Sequence, residues 1–126
     1  MPNAPQPSTS TPDVPPGALP PVLVLVRDLL FSSRICATAR AANIPVKVLR
    51  DPAAVAGAEG RMLIVDLNQD GATDAAVAWK RDASAEVVGF VSHVDVETIA
   101  RAKAAGLDRV LPRSRFVEML PELLRG

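Results

Sequence analysis

Four short apolar runs in this chain each give way to polar residues that could do chemistry. PVLVLV (21–26) is followed by Arg27 and Asp28, and MLIV (62–65) leads into Asp66 with Asn68 two residues on. VVGFV (87–91) is followed by Ser92 and His93, and RVL (109–111) by Pro112 and Arg113. Two carboxylates, a hydroxyl, an imidazole and two guanidiniums gathered at one edge could hold a cation, neutralise an anion or move a proton. Taken singly, each is also what a strand end becomes when it reaches water. His93, the only histidine, lacks an evident orienting partner. It reads first as an exposed helix-entry residue, with proton donation or contact with an anionic group as the functional alternative.

The elements that must position these groups follow from the same pattern. Continuous apolar, β-branched runs mark strands covered on both faces at 21–26, 62–66 and 87–91; VKVL (46–49) reads as another strand, with a shorter fifth at 109–111. Between them lie helical stretches. LLFSSRICATARAAN (29–43) has apolar residues at helical spacing, and Asn43 can close it. Asp51 as cap and Pro52 at the first helical position open a short second helix, ended by Gly57 and Gly60. After the loop 68–71, Thr73 or Asp74 starts a third helix running to about Arg81, and Asp95 can cap a fourth that Gly106 ends. Ser114 can cap a last helix, FVEMLPELL, with Pro121 a local disturbance near its end. Five strands alternating with five helices predict an α/β fold: a five-stranded parallel sheet, doubly wound, of (βα)5 flavodoxin type. In such a sheet, polar groups meet just beyond the carboxyl ends of the strands.

Composition removes several classes of function. The 126 residues are 48% hydrophobic and 22% charged, enough for one core and one domain. Fourteen basic residues balance fourteen acidic ones, and aromatics make up only 3%, so neither a nucleic-acid partner nor a membrane surface is expected. One cysteine, Cys36, excludes an internal disulfide and a cysteine-based zinc site, and on an apolar helix face it reads as an inert thiol. No Gly-rich phosphate cradle occurs, and Ser32 and Ser33 lack the elbow of a serine hydrolase. With neither a spanning run nor a signal-like start, the expected compartment is the cytoplasm. Residues 1–20 hold most of the twelve prolines and a single charge, Asp13, which reads as a flexible Pro-rich tail ahead of a domain at 21–126. A Pro-rich ligand for a partner domain is the alternative for that tail.

With these residues in this order, the stretch from about Val22 to Leu124 resembles a response-regulator receiver (CheY-like) domain. The resemblance implies that Asp66 is the candidate phospho-acceptor, that Ser92, Arg113 and Asn68 are phosphoryl or switch contacts, and that Asp28 and Asp66 are the ligands of a weakly held Mg²⁺. Two departures matter. Where the family has a pair of acids after the first strand, this chain has Arg27-Asp28, and where it has a lysine after the fifth, this chain has Arg113. Arg27 removes charge that a magnesium ion needs and adds a positive one. It could pair with Asp66 or Asp28, turning a switch into a fixed salt bridge.

The resemblance so qualified implies a pseudo-receiver: a stand-alone signalling domain that acts through protein contact, without phosphorylation, and is not an enzyme. Its partner would be a histidine kinase, an effector or a target for which true receivers compete, and a homodimer is compatible. In receivers the face of the fourth helix, fifth strand and fifth helix often carries such contacts, which here would include Arg101, Lys103, Arg109, Arg115 and Glu118. Two alternatives stay open: an atypical response regulator phosphorylated on Asp66, and a flavodoxin-like domain using the same edge to bind or transform a small molecule.

Overall fold

The computed structural model describes residues 20–83, 85–92 and 96–125. In chain order the elements are β1 (Val22–Leu25), α1 (Leu29–Ala41), β2 (Val46–Leu49), a 3-10 turn (Pro52–Val55), β3 (Met62–Asp66) and α2 (Ala72–Ala83). They continue with β4 (Glu86–Val91), α3 (Val96–Ala104), β5 (Arg109–Pro112) and α4 (Arg113–Arg125). The strands form one parallel sheet in the order β2-β1-β3-β4-β5.

Successive residues of a strand point to opposite faces, and β1 feeds two cores in this way. Val22 and Val24 pack with Phe31 and Ile35 of α1 and with Phe116, Leu120 and Leu124 of α4. Leu23 and Leu25 face the other way, towards Val55, Trp79 of α2 and Ala102 of α3. The sheet is therefore covered on both faces, and the fold class read from the sequence holds.

Two helix assignments differ from the sequence reading. The second helix is only a four-residue 3-10 turn, although its start is as expected: Asp51 Oδ1 accepts from the Ala53 N–H at 3.0 Å, with Pro52 next. Of its residues only Val55 is buried, so nothing drives a longer amphipathic helix, and the chain turns extended at Ala56. The last helix starts at Arg113 directly after β5, which places Ser114 inside its first turn and not at its cap. It runs through Pro121 to Arg125, held by the buried Leu120, Leu123 and Leu124.

Helix ends and buried side chains follow the expected chemistry elsewhere. Asn43 takes a left-handed φ of 60° just past α1. Trp79 is buried, and its indole N–H donates to the Ala58 carbonyl at 2.8 Å. Cys36 is half-buried, and burial pushes its thiol pKa up against the lowering effect of Arg40, which suits an inert thiol. The cap reading of Asp95 and the tail reading of 1–19 lie outside the described residues.

At the end of the sheet away from the candidate site, Asp108 joins three elements. It accepts from the Val87 N–H at 2.7 Å and pairs with Lys80 Nζ at 2.8 Å, while Lys80 also donates to the Ala85 carbonyl. Burial alone would raise the Asp108 pKa, but the bonds from Lys80 and Val87 outweigh it and hold the carboxyl below the usual range. A lowered folded-state pKa means stability that is present above the unfolded value of about 4 and lost as pH falls through the folded one. Thermal melts across that acidic window are expected to show a steeper decline for the wild type than for Asp108→Asn; parallel profiles would contradict it.

Candidate functional site

The site is built where β1, β3, β4 and β5 end. Asp28 leaves β1 and caps α1: its Oδ1 accepts from the Phe31 N–H at 3.1 Å, satisfying one of the free donors of the first turn. Its other oxygen lies 3.7 Å from Arg113 Nη2. Arg113 opens α4, and its guanidinium carbon stands 3.9 Å from the centre of the Phe31 ring. The side chain is thus held by charge on one side and by an aromatic face beneath it. Both partners of the ion pair are partly exposed, so the pair fixes position more than it adds stability.

Asp66 ends β3 and is half-buried. Its Oδ1 accepts from the Asn68 N–H at 3.0 Å, the local turn that short polar side chains favour. Asn68 in turn reaches across to β4, where its Oδ1 accepts from the Ser92 N–H at 2.6 Å. Asp66, Asn68 and Ser92 therefore form a connected chain of contacts between two strand ends, and the Ser92 contact to Asn68 runs through its backbone. Beneath them Leu67 packs over Gly89: a Cβ at Gly89 would fall 2.6 Å from Leu67 Cδ1, so glycine is what lets β4 pass so close. His93 lies outside the described residues.

The structure brings together Asp28 with Arg113, and Asp66 with Asn68 and Ser92. It does not bring Arg27 to either aspartate. The salt bridge at Asp28 is made by Arg113, and Arg27 makes no ion pair among the described residues. The reason is placement: Arg27 is exposed on the loop after β1 and lines a cleft with Arg50, whereas Arg113 emerges beside the α1 cap. Among the described residues no group of three or more His, Cys, Asp or Glu side chains is arranged to hold a metal ion. Phe31 is the functional residue that sequence reasoning missed. The available signal was an aromatic residue three positions after a capping aspartate, where it shares the first turn with the cap.

Sheet order, two covered faces and this edge define the class of fold: it is that of response-regulator receiver (CheY-like) domains. The CheY-like receiver domain from Methanospirillum hungatei JF-1 superposes with a TM-score of 0.71 at 13% identity, over 86% of this chain and 95% of that one. The receiver domain of Francisella response regulator 1452 gives 0.69 at 18% identity, over 84% and 93%. A Burkholderia pseudomallei response regulator, with a phosphorylated aspartic acid and a calcium ion, gives 0.69 at 16% identity, over 83% of this chain and 66% of its own. No protein-family model and no curated protein matches the sequence. Among the described residues, no helix is long and apolar enough to cross a membrane.

Proposed function

We propose that this chain is a pseudo-receiver, a signalling domain that acts in the cytoplasm by docking on a protein partner, without phosphorylation and without enzymatic turnover. The observation that carries the reading is the Arg113–Asp28 pair stacked on Phe31. In a phosphorylatable site an acid there would help hold a cation, and the basic residue after β5 would meet the phosphoryl group. Here these two groups neutralise each other, and α1 also uses the acid as its cap. With Arg27 standing where a second acid would be needed, the residues present do not fit a magnesium ion.

A domain whose edge is already tied to α1 and α4 presents one fixed surface. Leu29 and Leu30 beside this edge are 58% and 86% exposed, apolar area that a protein partner would cover. The partner is read as a kinase, an effector or a target shared with true receivers. The test is a Mg²⁺ titration followed by amide NMR at Asp28 and Asn68. No saturable shift at millimolar Mg²⁺ is expected; saturable shifts at both residues would overturn the reading.

A further inference from the structure

The sheet order reverses direction of growth at β1 and β3, so the segments leaving these two strands diverge to opposite faces and leave a crevice. That is where open α/β sheets take their ligands. In this protein the crevice is a cleft of about 480 Å³, within the range of small-molecule sites. Arg27 after β1 and Arg50 after β2 both line it. Both are exposed, and neither guanidinium has an ion-pair or hydrogen-bond partner among the described residues.

We propose that this cleft binds a small phosphate ester of nucleotide size. Two guanidiniums without a hydrogen-bonded ion-pair partner open on one cleft, and their forked donors match the oxygens of a phosphate group. Asp51 also lines the cleft, and its Oδ1 is held by the Ala53 N–H at 3.0 Å. Gln69 forms the β3 side. Its Nε2 donates to the Arg50 carbonyl at 3.2 Å, while its Oε1 is buried with no hydrogen-bond partner. A small rotation that let Oε1 meet a ligand hydroxyl or amine would remove that standing cost. Asp70 at the rim offers a further acceptor for such donors, and Leu29 and Pro52 supply apolar walls. The combination asks for an anionic group, neighbouring hydroxyl or amine donors, and a modest apolar body. The phosphate is held by side chains, which is compatible with a sequence that has no Gly-rich cradle. The proposal does not depend on whether Asp66 is phosphorylated.

The experiment is a titration of the full chain with adenosine 5′-monophosphate, inorganic phosphate and adenosine, in Mg²⁺-free buffer at constant ionic strength, followed by amide NMR. Saturable shifts are expected at Arg27, Arg50, Asp70 and the Gln69 side-chain amide with the nucleotide, weaker ones with phosphate and none with adenosine. Each of Arg27→Gln and Arg50→Gln is expected to weaken nucleotide binding about tenfold, the usual loss of one charge-assisted bond. Both positions are exposed, so an unchanged spectrum elsewhere verifies the fold of each variant. The proposal is overturned if neither phosphate compound gives saturable shifts, if both variants bind as the wild type does, or if adenosine binds as well as its monophosphate.

Discussion

Replacing Phe90 with alanine is expected to lower the unfolding free energy by about 3–5 kcal/mol, the usual cost of emptying a buried aromatic site. Phe90 lies in β4 with 1% of its surface exposed, at the centre of three rings. Its centroid is 5.0 Å from Phe31 in an edge-on arrangement and 4.8 Å from the stacked ring of Phe116. These three side chains come from β4, α1 and α4, so no single element can move in to fill the space. A domain of this size has only about 5–15 kcal/mol in total, and the variant should sit close to its unfolding threshold. Urea denaturation measures the loss; a decrease below about 1 kcal/mol would mean that the cluster relaxes, contrary to the packing described. The consequence reaches the site, because the Phe31 ring that supports Arg113 belongs to the same cluster.

A second large effect is expected as a gain. The double variant Arg27→Asp with Arg113→Lys should accept a phosphoryl group on Asp66 from acetyl phosphate in a Mg²⁺-dependent manner. Aspartate at position 27 restores negative charge where a hard cation needs carboxylate ligands. Lysine at position 113 keeps the charge but loses the planar group that lies over Phe31, which frees the Asp28 oxygen it now faces. Arg113→Lys alone is expected to stay silent, since Arg27 still places a positive charge beside the site. A double variant that folds, binds Mg²⁺ and remains unphosphorylated would locate the block elsewhere, in the setting of Asp66 itself.

Much of the fold is legible in the sequence because doubly covered strands cannot hide. VLVL, MLIV and the core of VVGFV are apolar without interruption, and each became a buried central strand. The second crossover was harder, since Asp51-Pro52 is a true helix start but start signals do not set length. Length came from burial, and Val55 was the only anchor. The site was legible in part. Asp66, Asn68 and Ser92 stand where strand ends place them, and contacts join them. The Arg113–Asp28 pair was not readable, because it depends on α4 beginning without a turn and so delivering its first side chain beside the α1 cap. Asp28 itself carried a double signal, since an acid before an apolar helical run is as good a cap as it is a metal ligand. The cleft between Arg27 and Arg50 comes from the reversal of sheet growth at β1 and β3, which no local pattern records.

The most direct test of the central claim is the intact mass of the wild-type chain after incubation with acetyl phosphate, with and without Mg²⁺, beside Asp66→Asn. Wild type and variant are expected to give the same unmodified mass under both conditions. A Mg²⁺-dependent phosphoryl adduct on the wild type that disappears in Asp66→Asn would contradict the claim and make this chain a working receiver.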